Sequence, residues 1–230
     1  MSAYFPIPSL HPAGQPFIIG AAVATVVLGL IATPLGVIGL LATLFCTYFF
    51  RNPDRTVPQR AGLMVSPADG RVLEVVPVVP PAELDLGSEA RVRISIFLSV
   101  FDVHVNRIAA AGKIRRKIYH AGKFLHAAAD KASEDNERLA LVVDCGDGGR
   151  DYAQVQIAGF IARRILCDIG EGTAVRTGQR YGIIRFGSRM DVYLPTGAVA
   201  LVCPGQTMIG GESVLADYAG TEAARVGATL

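Results

Sequence analysis

From Phe17 to Phe50 the chain runs for 34 residues without a charged side chain, and no Asp, Glu, Lys or Arg occurs anywhere in residues 1–50. Helices of soluble proteins alternate apolar and polar faces, whereas this stretch is apolar around its whole circumference and so belongs in lipid. Thr33-Pro34 interrupts it near the middle, leaving pieces of 17 and 16 residues. Each is about 25 Å long as a helix, short of the ~30 Å apolar thickness of a bilayer. A helical membrane hairpin dipping into one leaflet is therefore expected, with two short tilted spans or one kinked span as alternatives. No basic segment precedes the stretch and no small-residue cleavage site closes it, so it is expected to be retained rather than removed as a secretory signal. Arg51, Arg55 and Arg60 follow directly. Positive charge beside a membrane segment places that side on the cytoplasmic face of the cell membrane, against anionic lipid.

All 22 basic and 20 acidic residues lie after residue 50, which gives the remainder an ordinary soluble composition. Two parts are expected: an apolar membrane-associating segment, 1–50, and a second domain, 51–230. The net charge of +2 is too small to argue for nucleic acid as a partner. Cys46, Cys145, Cys167 and Cys203 are scattered and do not group with His11, His104, His120 or His126. Neither a disulfide framework nor a metal site is expected, and a reducing compartment fits. Eighteen of the basic residues are arginines, a lean towards anionic partners.

After Gly62 the period changes to short alternating or β-branched runs: GRVLEVVPVV, RVRISIFL, GKIRRKIYH, LALVVDCG, DYAQVQIAG and YGIIRFG. The fold class expected is mainly β (α+β), a β-sandwich or barrel-like domain behind the apolar helical hairpin. Helical pattern is confined to FLHAAADKA and FIARRILCDI. EGTAVRTGQRYGIIRFG and PTGAVALVCPGQTMIGGESVLA echo each other, each carrying an apolar strand, a Gly-Gln turn and a return strand. These are similar to the hairpins of lipoyl and biotinyl carrier domains. Carriers need a modifiable lysine at a hairpin tip, and residues 132–230 contain none, so only the shape is shared. GQTMIGGES lacks the Gly-Lys-Ser/Thr ending of a phosphate loop and is read as a turn.

Gly187-Ser188 stands between two strand-like runs in YGIIRFGSRMDVYLP. Alone it would be a tight turn or bulge. Together with RNPDR, SPADG (66–70), FLSVFDVHVNR (97–107) and GKFLHAAADKASEDNER (122–138), it closely resembles phosphatidylserine decarboxylases, in particular their short bacterial and archaeal branch. The likeness runs in order from about residue 47 to about residue 216. Loss of CO₂ from an α-amino acid leaves a carbanion, which no ordinary side chain delocalises but a Schiff-base-forming carbonyl does. A pyruvoyl group is such a carbonyl and can be made from the chain, without pyridoxal phosphate and without metal: the Ser188 hydroxyl attacks the Gly187 carbonyl, the ester eliminates, and the product hydrolyses.

The resemblance thus implies self-cleavage between Gly187 and Ser188 into a β chain, 1–187, and an α chain, 188–230, that begins with the pyruvoyl group at position 188 and stays associated with its partner. It implies decarboxylation of phosphatidylserine in the bilayer to phosphatidylethanolamine, at an anionic membrane surface, and allows a homodimer. Ser188, His104 and Asp69 are the candidate catalytic residues: the attack needs a base and a group that orients it. Position 107 is Arg where the long branch has a second histidine, and Phe186-Gly187-Ser188-Arg189 replaces its Leu-Gly-Ser-Thr. Arg185 and Arg189, four apart on an extended strand, are candidates for binding lipid phosphate or carboxylate, while His120 and His126 are read as structural. Two rival readings remain. One is a serine hydrolase using Ser188, His104 and Asp69, which lacks the Gly-x-Ser-x-Gly elbow; the other is a non-catalytic lipid-binding β-domain.

Overall fold

The structure is a computed structural model and describes residues 8–122, 136–146, 150–159, 164–185, 187–220, 222–225 and 227. It divides into two compact units, residues 1–54 and 55–230.

In the first unit a two-residue strand β1 (Ser9–Leu10) precedes helix α1 (Gln15–Ile31) and helix α2 (Thr33–Phe49), and β2 (Arg51–Asn52) closes the unit by pairing antiparallel with β1. Ala32 is extended (φ −158°, ψ 137°) and Pro34 lies in the first turn of α2, where its missing N–H costs nothing. The apolar stretch therefore folds back on itself as a helical hairpin. Small residues let the two helices meet closely. A Cβ on Gly36 would lie 2.8 Å from the Gly29 Cα, and one on Gly39 2.8 Å from the Thr25 Cα. The Thr25 and Thr43 hydroxyls hydrogen-bond across the seam at 2.9 Å. With its preceding turn, Pro12–Ile31 is 20 residues long and apolar enough to cross a membrane, while α2 has 17 residues.

The second unit is built of strands β3 (Leu63–Val65), β4 (Gly70–Val78), β5 (Arg91–Leu98), β6 (Val105–Arg107), β7 (Gly112–His120), β8 (Arg138–Asp144), β9 (Tyr152–Ala158), β10 (Ile165–Cys167), β11 (Ala174–Val175), β12 (Arg180–Ile184), β13 (Ser188–Tyr193), β14 (Val199–Ala200), β15 (Thr207–Met208) and β16 (Val214–Asp217). All described pairings are antiparallel. One sheet has the order β11-β7-β8-β9-β13-β5-β4-β15, and two smaller ones are β10-β12-β6 and β14-β16-β3. The mainly β expectation holds, and β5 and β7 coincide with the runs RVRISIFL and GKIRRKIYH. Of the two expected short helices, FLHAAADKA lies outside the described residues, as does His126. The described part of FIARRILCDI is instead strand at Ile165–Cys167, because it pairs with β12 across Ile165↔Ile184; a short apolar run carries too little periodicity to separate the two.

The central strands of the large sheet, β8, β9 and β13, are buried on both faces. Leu139, Leu141 and Val143 of β8 join Ile94, Ile96, Met190 and Val192 in one core, while Ala140 and Val142 pack on the other side with Val155, Leu84 and Leu86. Polar side chains stitch β9 to the segment that carries β6. Gln154 accepts from the Ala109 N–H and donates to the Arg107 carbonyl, Gln156 donates to Asn106 Oδ1, and the Tyr152 hydroxyl bonds the Ala110 backbone. Such buried polar contacts fix register where apolar packing alone would tolerate a slip.

The sequence echo has a structural counterpart. In each Gly-Gln turn the glutamine side chain accepts from the backbone N–H three residues earlier: Gln179 from Arg176 at 2.9 Å and Gln206 from Cys203 at 2.7 Å. Each turn carries the chain between sheets, β11 to β12 and β14 to β15. GQTMIGGES leads into strand β16, as a turn rather than a phosphate loop would.

Candidate active site

Ser188 is the first residue of β13 and is fully buried. β13 lies between β9 and β5, so Ser188 stands opposite Ala158 on one side and Leu98 on the other. Alternation along the strand sends Ser188, Met190 and Val192 to one face and Arg189, Asp191 and Tyr193 to the other. Among the described residues the Ser188 Oγ has no hydrogen-bond partner, an uncommon state for a buried hydroxyl and one that marks a reactive group or a strain reservoir.

Gly187 has φ +61°, a conformation open to glycine and strained for other residues. The turn it makes takes its N–H out of the β-ladder and onto His104, whose Nε2 accepts it at 3.2 Å. Its carbonyl stays on the ladder side and accepts from the Gly159 N–H at 3.0 Å. The two ends of one peptide residue are thus gripped by an imidazole and an amide.

His104 is fully buried. Its Nδ1 lies 3.0 Å from the Asp102 carbonyl, a pure acceptor, and its Nε2 receives a pure donor. Both contacts require the tautomer with the proton on Nδ1, which leaves the Nε2 lone pair on the Gly187 N–H, next to Ser188 in the chain. Asp102 is held in turn: its carboxylate accepts from the Ser99 N–H at 2.7 Å and its N–H donates to the Ser99 carbonyl at 2.9 Å. This turn caps β5 and aims the carbonyl at the ring.

Asp69 sits at the start of β4. Its carboxylate accepts from Arg55 at 2.7 Å and from the Gly210 N–H at 2.7 Å. Gly70 must be glycine, since a Cβ there would lie 2.1 Å from the Phe97 carbonyl oxygen. That close approach presses the SPADG loop onto the end of β5, and the Arg107 N–H to Pro67 carbonyl bond, 2.8 Å, ties the loop to β6 just beyond His104. Arg71 of β4 and Arg189 of β13 both oppose Phe97, two strand spacings apart or about 10 Å. The structure thus gathers Asp69, His104 and Ser188 around the same end of β5. The described hydrogen bonds link His104 to Gly187 and Asp102, and Asp69 to Arg55 and Gly210.

The arginines separate. The continuous strand that would align Arg185 with Arg189 is not formed, because β12 ends at Ile184 and β13 starts at Ser188, with the Gly187 turn between. Arg189 is buried on the face opposite Ser188 and forks onto Asp191 through Nε (2.8 Å) and Nη2 (2.7 Å). Arg185 is half-buried beside the exposed Arg164, to whose carbonyl its N–H donates at 3.2 Å. Burial, then the charge of Arg164, holds the Arg185 guanidinium below its ordinary pKa. Of the arginines that follow the apolar stretch, Arg55 pairs with Asp69 and the exposed Arg60 with Asp217.

A lone-pair base on the Gly187 N–H, with the buried Ser188 hydroxyl next in the chain and an amide on the Gly187 carbonyl oxygen, suits attack of a hydroxyl on its own preceding carbonyl. Beside the Ser188, Gly187, His104 and Asp69 expected from the sequence, the structure places two residues the sequence does not single out, Asp102 on His104 and Gly159 on Gly187. Both make these contacts through backbone atoms, which leave no side-chain signature. Among the described residues there is no cluster of three His, Cys, Asp or Glu suited to a metal.

Comparison with known proteins places the sequence in a family. Residues 42–216 match the sequence model described as phosphatidylserine decarboxylase. Three relatives are each named phosphatidylserine decarboxylase proenzyme. The protein of Nitrobacter winogradskyi is 56% identical over 216 residues, covering 94% of this chain and 87% of that one. That of Cereibacter sphaeroides is 55% identical over 222 residues (96% and 95%), and that of Granulibacter bethesdensis 57% over 208 (90% and 84%). With three quarters of its length under the family model and more than half its residues shared with these relatives, the chain belongs to the phosphatidylserine decarboxylase family.

Proposed function

We propose that the chain is a proenzyme that cuts itself between Gly187 and Ser188 and then decarboxylates phosphatidylserine to phosphatidylethanolamine at the cytoplasmic face of the cell membrane. The observation that carries this reading is the Nε2 lone pair of His104 on the Gly187 N–H, one residue before a buried Ser188 hydroxyl that has no hydrogen-bond partner among the described residues. His104 takes the proton from Ser188 Oγ as the hydroxyl displaces the Gly187 N–H from Nε2, and returns it to the Ser188 nitrogen as the C–N bond breaks. The Asp102 carbonyl keeps the ring in the required tautomer. Asp69, held by Arg55 and the Gly210 N–H, shapes the loop against β6, the strand that follows His104.

The ester so formed loses the Gly187 carboxylate by elimination, and water releases ammonia, leaving a ketone at position 188. A buried, unpartnered Oγ in a Gly-Ser turn at positive φ is the donor set such a pyruvoyl group requires. In place, the group supplies an electrophilic carbonyl that takes up the electron pair left by CO₂. Arg185 and Arg164 then receive the anionic headgroup, His104 holds the proton delivered to the product, and the apolar hairpin tethers the chain to the membrane that its substrate does not readily leave. After scission β13 remains between β9 and β5, which keeps the α and β chains together.

The test is intact mass of the purified protein with and without Ser188→Ala, alongside release of CO₂ from vesicles containing phosphatidylserine. Fragments of 187 and 43 residues and lipid-dependent CO₂ are expected from the native sequence, and neither from the variant. A single uncut chain that still releases CO₂ would overturn the proposal. A serine hydrolase would instead retain a Ser188 that a fluorophosphonate labels.

A further inference from the structure

We propose that the Gly159 N–H is the oxyanion donor for the self-cleavage, an inference that rests on the scission at Gly187-Ser188 put forward above. In that step the bond from Ser188 Oγ to the Gly187 carbonyl carbon forms and the Oγ proton passes to His104 Nε2. The carbonyl π pair moves onto the Gly187 oxygen, and collapse restores the C=O while the C–N bond breaks, the proton going to the Ser188 nitrogen. Full negative charge therefore appears transiently on one atom, and the Gly159 N–H is aimed at that atom from 3.0 Å before the reaction starts. A donor already in place needs no reorganisation as charge develops, and the neutral contact becomes a charge-assisted one.

Three features set this amide apart from an ordinary ladder contact. Gly187 makes only half of the usual exchange with Gly159: its carbonyl stays on the strand while its N–H is diverted to His104, so base and oxyanion donor hold opposite ends of the reacting residue. Gly159 is buried, in surroundings where hydrogen bonds to charge are worth more than in water. The residue before it is pinned from the far side, the Ala158 N–H donating to the Glu137 carbonyl at 2.9 Å and the Ala158 carbonyl accepting from Asn136 Nδ2 at 2.8 Å. The end of β9 is thereby fixed by contacts that do not involve β13, and the donor is preorganised.

The experiment replaces the Gly159 amide by an ester in the full chain, using cell-free translation with glycolic acid at position 159, and follows the appearance of the 187- and 43-residue fragments in the protease-resistant fraction. Gly159→Ala, which keeps the N–H, is run beside it. The ester chain is expected to cleave about 100-fold or more slowly, the usual cost of losing one such donor, and Gly159→Ala to cleave within a few-fold of the native chain. Native-rate cleavage of the ester chain, or equal slowing of both variants, overturns the proposal. Should the ester chain yield no resistant fraction, Asn136→Ala gives the second reading. It loosens Ala158-Gly159 without touching the scissile peptide and must slow cleavage; unchanged cleavage overturns the assignment. A native chain that never cleaves in the same lysate refutes the scission itself, an outcome separable from the others.

Discussion

Gly187→Ala isolates the contribution of backbone conformation at the cleavage site. Among the described residues a Cβ built on Gly187 meets nothing closer than Val100 Cγ1 at 4.0 Å, so the substitution introduces no clash with them. Its whole cost is conformational: at φ +61° an L-residue with a Cβ is disfavoured by about 1–2 kcal/mol. The chain can hold the native geometry and lose that much stability, lowering the precursor Tm by roughly 2–8 °C for a domain of this size. Alternatively it relaxes to negative φ, which swings the N–H off His104 Nε2 and the carbonyl off Gly159. In that case the reactive arrangement becomes a minor state reached at the same 1–2 kcal/mol, and cleavage slows by about 5–30-fold. Either way cleavage goes to completion, because the penalty is bounded. Pulse-labelling followed by denaturing gels measures the half-time, and a thermal melt of the same variant combined with Ser188→Ala measures the precursor. A native half-time together with a native Tm would refute the argument that the positive φ positions the site, and a complete block would refute the claim that the cost is only conformational.

His104→Ala should leave a largely uncut 230-residue chain, and normal processing would remove the imidazole from the role of base. Gln156→Leu strips the amide that binds Asn106 and leaves a buried polar group unmet, at a cost of about 1–3 kcal/mol; a lower Tm and slower cleavage are expected together, since the same contact holds the β6 segment against β9. Asp217 gives a pH dependence. Burial alone would raise its carboxyl pKa, but the Arg60 hydrogen bond and the Ala219 and Gly220 amides outweigh it and hold the value below the ordinary one. Its stabilising contribution is therefore complete above the unfolded carboxylate pKa of about 3.9 and is lost as pH falls through the lower folded value. Melts of the native chain and of Asp217→Asn should differ at pH 6 and converge at the acid end; a constant difference would refute the linkage.

The membrane hairpin and most strand spans were legible because each follows from local pattern: Pro34 in an uncharged run, and period-two alternation in RVRISIFL and GKIRRKIYH. The pairing order was not. Ser188 lies between Ala158 and Leu98, partners 30 and 90 residues away, and nothing in β13 itself names them. The candidate site divides along the same line. Ser188, His104 and Asp69 carry chemistry in their side chains and stand in motifs, so a resemblance reaches them. Asp102 and Gly159 contribute a carbonyl and an amide, which any residue possesses; their place in the site is a property of the turn after β5 and of the end of β9. Arg189 shows the opposite error. Proximity in sequence to a reactive serine put it beside the substrate, whereas alternation on β13 sends it to the other face and onto Asp191.

The position of the proposed cut also decides what the two products do next. Ser188 is the first residue of β13, so scission removes no rung of the ladder: residues 188–193 stay paired to β5 on one side and β9 on the other. Met190, Val192 and Leu194 are fully buried, and each such side chain contributes roughly 1.5–3 kcal/mol. The Arg60 to Asp217 ion pair joins the two chains at a second place. Cutting between β12 and β13 relieves the Gly187 turn, freeing residue 188 to change its chemistry while the sheet holds it still. The mature chains should therefore co-elute on gel filtration without denaturant and part only as the sheet unfolds, with one shared melting transition. A 43-residue fragment that leaves the complex under native conditions would mean that β13 is not the strand that anchors it.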